Sequence, residues 1–215
     1  MALQSPGTAG KLTLITACSL KKSLLSEDVH KRFVLESLSF MVAQERIWLF
    51  GYLLMDGEFH VMCRQRPLWE GKNARQHILR YVSKMIKYNI RKRNPDELEI
   101  HRSKLKDRIY QFWAKEKIRI EIKNQETAIK MLKAMHEMPY RSELCGEHEA
   151  YRYSSAWFYG SGEPPEGIPV PRLTSIEEAF PNGYVAPEEK EKKLPRIVIK
   201  GPTWFRRRPW EEGPK

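Results

Sequence analysis

At 215 residues with 41% hydrophobic side chains, the chain is long enough for one domain with a sizeable core and an appendage. No run approaches the roughly 18 to 20 apolar residues that span a bilayer, and the longest, Ile47 to Met55, is broken by Gly51, which argues against a membrane helix. Met1 to Gly10 shows no charged region ahead of an apolar segment, so no secretory signal is read and the cytoplasm is the expected location; Cys18, Cys63 and Cys145, odd in number and widely spaced, form no C-x-x-C pair and read as buried, reduced thiols.

The formal charge is +11 and the isoelectric point near 9.6. From Lys72 to Lys133 there are 18 Lys and Arg against 7 Asp and Glu, so the middle third carries the whole surplus and the flanks sum to neutral. Clustered positive charge gains affinity for phosphate chains by releasing condensed counterions, which points to a nucleic-acid partner. A solvated cationic face is the alternative that the same pattern allows.

Lys11 to Cys18 is rich in β-formers and reads as a strand. Ser26 opens a helix whose apolar residues, Val29, Phe33, Leu35, Leu38, Met41 and Val42, recur near helical period. Ile47 to Leu54 is apolar on both faces, as a central strand is, and Asp56-Gly57 is a turn signal before a further strand from Glu58 to Arg64. The order to this point is β-α-β-β. Ala74 to Arg93 then carries one stripe of Ile78, Val82, Met85, Ile86 and Ile90 and another of Arg80, Lys84, Lys87 and Arg91, which predicts an amphipathic helix with a basic outer face. Asn94-Pro95 closes it, and a last helix is expected from Gln125 to Met138, ending near Pro139.

Residues 161–215 hold ten of the fourteen prolines and a near balance of charge, and they read as an extended arm. Ile197 to Ile199 suits a short edge strand. Trp204 to Trp210 interleaves aromatic rings with Arg206, Arg207 and Arg208, a pattern for stacking and phosphate contact, or for a tail that docks back on the core. The expected divisions are a flexible 1–10, a domain over 11–160 and the arm over 161–215.

On the strand from Glu58 to Arg64 side chains alternate, so Glu58 and His60 share a face. Such a pair either holds a divalent metal, which would polarise a phosphodiester, or closes on itself as a hydrogen-bonded pair. The wider pattern adds to this. Leu53 to His60, the helix block Ile78 to Lys84, the aromatic block Tyr110 to Trp113, the segment Ile129 to Pro139 and the closing Tyr151 to Trp157 resemble, in order, the blocks of the REP-associated tyrosine transposases of the single-tyrosine HUH superfamily.

The resemblance covers roughly residues 11–160 and implies an α+β, ferredoxin-like β-α-β-β-α domain, an antiparallel sheet with helices on one face. It further implies binding of hairpin or single-stranded DNA, magnesium or manganese as cofactor, action as a monomer or homodimer, and strand cleavage by a tyrosine. The chain departs from the family at the chemistry. The first histidine of the pair is Glu58, leaving only His60, the nucleophilic tyrosine is Ala134, and the following polar position is Met138. A carboxylate at position 58 can still bind a hard cation, whereas alanine offers no oxygen to attack phosphorus. The candidate substitute is Tyr140, six residues on, which lies on a different helical face or past the helix end and would need a rearranged site.

Binding without cleavage is therefore the expected activity. Its candidate contacts are Arg80, Lys84, Lys87, Arg91, Lys92, Arg93, Lys104 and Arg108, with Arg206, Arg207 and Arg208 on the arm. Phosphate contacts of this kind do not tell DNA from RNA. Two other readings stand beside it: an active, metal-dependent transposase with a rewired site, and a structural component of a large ribonucleoprotein assembly.

Overall fold

A computed structural model describes residues 10–180 other than 22, 70–71, 116–117 and 147–150. Its elements are β1 (Leu12–Cys18), α1 (Asp28–Ala43), β2 (Ile47–Leu54), β3 (Glu58–Gln65), α2 (Ala74–Arg93), β4 (Ile118–Ile122), α3 (Gln125–Arg141) and α4 (Ala156–Tyr159). The four strands form one antiparallel sheet in the order β2-β3-β1-β4, so the fold is α+β. Strands β2 and β3 are a hairpin across Asp56-Gly57, while α1 carries the chain over β3's position, leaving β3 between β1 and β2. Strand β4 was not expected. Its sequence, Ile-Arg-Ile-Glu-Ile, alternates with period two, but it lies inside the cationic run that dominates that stretch.

Because β2 is apolar and buried at all eight positions, the sheet has two faces to cover. On the first face Ile15, Tyr52, Phe59 and Val61 pack against Val34, Leu35 and Leu38 of α1 and Ile78, Val82, Ile86 and Ile90 of α2. On the second, Leu14, Phe50, Leu53 and Met62 pack against Met131, Leu132 and Met135 of α3. Helices on one face alone is thus corrected to helices on both. Helix α3 reaches the sheet at Gly51, beside a register shift in β2, where a Cβ would lie 2.5 Å from Leu132 Cδ1, 3.0 Å from Met135 Cε and 3.2 Å from Ser155 Oγ. Glycine is what lets the helix approach so closely.

Helix α2 has its expected bounds, begun by Asn73, whose side chain accepts the Gln76 N–H, and ended at Asn94 before Pro95. Helix α3 runs past Pro139 instead of ending there. Proline withholds only its own N–H, and the carbonyls of Met138 and Pro139 accept the N–H groups of Ser142 and Leu144 at 3.0 and 2.9 Å.

The fold also continues beyond residue 160. Ile168, Leu173, Ile176 and Ala179 are buried, the Thr174 N–H donates to Leu49 O at 2.8 Å, and Arg64 Nη1 donates to Ala179 O at 3.2 Å. Ile168 and Leu173 join the core of the first face, and Ile176 and Ala179 that of the second, so the segment to residue 180 belongs to the domain. Ile197–Ile199 and the Trp204–Trp210 segment with its three arginines lie outside the described residues. Cys18, Cys63 and Cys145 form no disulfide with one another; only Cys63 is fully buried, Cys18 and Cys145 being half-buried, and burial pushes the Cys63 thiol up to about 12. Among the described residues no helix is long and apolar enough to cross a membrane.

Candidate nucleic-acid interface

The buried stripe of α2 fixes what its other side presents. With Ile78, Val82, Ile86 and Ile90 against the sheet, Arg80, Lys84, Lys87 and Arg91 fall on the outer side over about 16 Å of helix. Facing the first three is the segment from Arg108 to Lys115, and between the two walls lies a groove of about 910 Å³. Its cations are Arg75, Arg80, Lys84 and Lys87 from α2 and Arg108 and Lys115 from the far wall; among the described residues no carboxylate lines it. Asn73, Gln76 and Gln111 add amides, and Tyr110, Phe112 and Trp113 add rings.

The far wall is held by the sheet and by α2. Leu20 N–H donates to Phe112 O and Ala114 N–H to Cys18 O, both at 2.8 Å, which extends the end of β1 into the wall. Trp113 packs its ring edge-on to Phe59 at 5.4 Å and donates its indole N–H to Ser83 Oγ of α2 at 2.8 Å. At 8% exposure Trp113 is a structural floor. Tyr110 is half-buried with the Lys87 ammonium 5.2 Å from its ring centroid, and Gln111 donates from Nε2 to Trp113 O at 3.0 Å.

The cations differ in how far they are already engaged. Arg80, Lys84 and Lys87 make no ion pair with a described residue. Arg108 lines the groove but pairs with Asp107 at 2.5 Å. Arg93 is turned to Glu27 and Glu97, and those two carboxylates raise its pKa. Arg91 and Lys92 at the end of α2, and Lys104 before the far wall, are exposed but outside the groove. Of the eight cations within the described residues that the sequence nominated, four thus line one site. The field is felt at His77, whose pKa is lowered by burial first and then by Arg46 and Arg80.

Arg75 and Lys115 were missed, as were the amides. Arg75 stands in the first turn of α2, off the stripe that begins at Arg80; it is half-buried, its Nε donates to Thr16 O at 3.4 Å, and burial lowers its pKa. Lys115 follows the aromatic block directly, and that adjacency was the available signal.

Glu58 and His60 lie on the second face of the sheet, 6% and 4% exposed. His60 Nδ1 is 2.9 Å from Thr16 Oγ1, its register partner on β1, and the Cys18 thiol donates to Glu58 Oε2 at 3.4 Å. Glu58 Oε1 and His60 Nε2 are 3.4 Å apart, without hydrogen-bond geometry. Among the described residues no group of three His, Cys, Asp or Glu side chains could hold a metal ion. A hard cation supported by one carboxylate needs water or phosphate oxygens for its remaining positions, and a pair this buried leaves them little access.

On α3 the sheet-facing residues are Met131, Leu132, Met135, His136 and Pro139, whereas Ala134 is exposed and Tyr140 is 47% exposed. His136 and the closing serine form a buried clamp. Ser155 Oγ accepts the Tyr52 N–H at 2.8 Å, donates to Tyr52 O at 3.1 Å and lies 2.8 Å from His136 Nε2. With its own proton given to Tyr52, the serine accepts from the imidazole, which places a proton on Nε2 of His136. Burial pushes its pKa down to about 4. Tyr151 and Tyr159 likewise spend their hydroxyls on Leu54 O and Phe50 O, at 2.8 and 2.6 Å.

The class these features define is an antiparallel α+β sheet, helices on both faces, with a basic groove along one helix. No family model and no curated protein matches the chain. Among solved structures, a REP-associated tyrosine transposase bound to a REP hairpin superposes with a TM-score of 0.51 at 10% identity, over 77% of this chain and 88% of that one. At that identity the likeness is one of fold.

Proposed function

We propose that the chain is a degenerate relative of the REP-associated tyrosine transposases that binds structured nucleic acid, a hairpin or single strand of DNA or RNA, without cutting it. The observation that carries this is the groove beside α2, lined among the described residues by six cations, three aromatic rings and no carboxylate. Arg80, Lys84 and Lys87, which make no ion pair with a described residue, gain the most from a polyanion, and the half-buried Tyr110 ring next to them suits an unpaired base. The solved neighbour of the same fold is bound to a hairpin, which supports that ligand here.

The residues at and over the second face support the absence of cleavage. Ala134 has no hydroxyl, and Glu58 and His60 are engaged with Cys18 and Thr16. Binding through the groove needs neither magnesium nor manganese, since its positive charge is all side chain.

The test is a labelled hairpin titrated with purified protein at several salt concentrations, then incubated with magnesium or manganese and run under denaturing conditions. The expected outcome is salt-sensitive binding and an intact strand. A nicked strand carrying covalently attached protein, lost in Tyr140→Phe, would establish the rewired enzyme instead. Recovery of the native protein only within a large particle, released by RNase and not by DNase, would favour the structural role.

A further inference from the structure

The two edges of the sheet are treated differently. Edge strand β2 is covered: Leu54 N–H donates to Tyr153 O and Ser155 N–H to Tyr52 O at 2.9 Å, and Thr174 N–H to Leu49 O at 2.8 Å. Edge strand β4 pairs with β1 on its inner side, and no described residue pairs with its outer side. An open edge presents N–H and C=O groups that template another strand, and charged side chains usually deter such pairing.

On β4 the charges select a partner instead. Arg119 and Glu121 are both exposed and flank Ile120, while Ile118, Ile120 and Ile122 alternate with them on the second face. If a second copy of this strand is laid antiparallel about a two-fold axis at Ile120, Arg119 of each copy stands opposite Glu121 of the other. Ile118 meets Ile122 and Ile120 meets its own counterpart. Sliding the register by two residues sets Arg119 against Arg119 or Glu121 against Glu121, and a slide by one residue mismatches the outward hydrogen-bonding groups. The sequence is thus complementary to itself in one register. Lys11 already pairs with Glu121 at 2.8 Å, but both are substantially exposed, so the carboxylate remains open to a cross-strand arginine.

We propose that β4 pairs with β4 of a second copy, making a symmetric homodimer with one continuous eight-stranded sheet. An axis normal to the sheet keeps the first faces of both copies on one side, so the two α2 helices and their grooves share that side. The contact is small beside standard interfaces, so association is concentration-dependent, on the order of micromolar.

Sedimentation velocity of the nuclease-treated full-length protein, without nucleic acid, tests this apart from the binding function. The wild type should shift from monomer to dimer across the micromolar range. Arg119→Glu and Glu121→Arg should each weaken the dimer about tenfold, because each reverses two symmetric charge pairs. The double variant Arg119→Glu, Glu121→Arg should regain most of the loss, and circular dichroism of all three shows whether they fold. A wild type that stays monomeric, as it would if another segment of the chain occupied this edge, overturns the proposal. So does a dimer that the single changes leave alone, or one that the double change does not restore.

Discussion

The Lys87 ammonium stands 5.2 Å from the centroid of the Tyr110 ring, joining the basic stripe of α2 to the wall opposite. Neither residue is buried, so the contact is worth no more than about 0.5–1 kcal/mol and yields readily. A nucleobase stacked on Tyr110 would displace the ammonium from the ring toward the phosphates of the same strand. Tyr110→Ala is expected to lower affinity for a single-stranded oligonucleotide by about 1–3 kcal/mol, while Tyr110→Phe stays near wild type because stacking needs the ring and not the hydroxyl. Fluorescence anisotropy at one fixed salt concentration separates the two outcomes. Equal losses in both variants would mean that the ring does not stack.

Arg80 and Lys84 line the groove without an ion-pair partner among the described residues, whereas Arg93 is engaged by Glu27 and Glu97. Each phosphate contact releases condensed counterions, so Arg80→Ala and Lys84→Ala should each reduce the slope of log Kd against log salt by about one. Arg93→Ala and Lys92→Ala should leave the slope unchanged, the first because its charge is already matched and the second because it lies outside the groove. A plot in which all four variants behave alike would indicate diffuse attraction by net charge, with no localised groove.

How far this groove was legible in the sequence depends on the wall. The α2 side was readable because a helix repeats every 3.6 residues, so Ile78 to Ile90 and Arg80 to Arg91 declare their faces. Both the bounds of α2 and the order β-α-β-β follow from such local periodicity. The far wall has no period; Tyr110 to Lys115 is irregular chain whose position comes from long-range hydrogen bonds to Cys18, Leu20 and Ser83. For the same reason Arg75 was passed over, since nothing local shows that the first turn of α2 faces Thr16. The packing of residues 168–179 onto both cores of the domain was hidden by a proline-rich composition that resembles a free arm. The carboxylate partner of Arg93 at Glu27 is likewise a contact between distant segments.

Gly51 and Ser155 meet at the point where α3 lands on β2, so the second face of the sheet can be probed there without touching the groove. Ser155→Ala removes the acceptor for the Tyr52 N–H and the His136 Nε2–H, leaving two buried donors, and should destabilise the fold by about 2–4 kcal/mol. Gly51→Ala forces Leu132 and Met135 to give way and should cost about 1–3 kcal/mol. Urea unfolding measures both. Hairpin affinity of the folded fraction should be retained, and if it falls in parallel with stability, the second face contributes to binding.

His136 gives the fold a pH dependence whose sign is fixed by burial. Its folded pKa is about 4 against an unfolded value of 6.5, so between these limits the unfolded chain takes up a proton that the native chain refuses. The contribution is therefore complete above the unfolded value, diminishes as pH falls from about 6.5, and is gone once pH passes below about 4, amounting to about 2–3 kcal/mol across the window. His77 and His101 are shifted in the same direction, mainly by burial, and add to the loss as pH falls below the unfolded value, so the informative quantity is the difference between wild type and a variant. His136→Gln removes the titration, and its stability should fall by less than that of the wild type between about pH 7 and about pH 4.5. Urea unfolding at the two pH values decides it. Parallel losses in both proteins would show that burial does not hold the His136 imidazole neutral over this range.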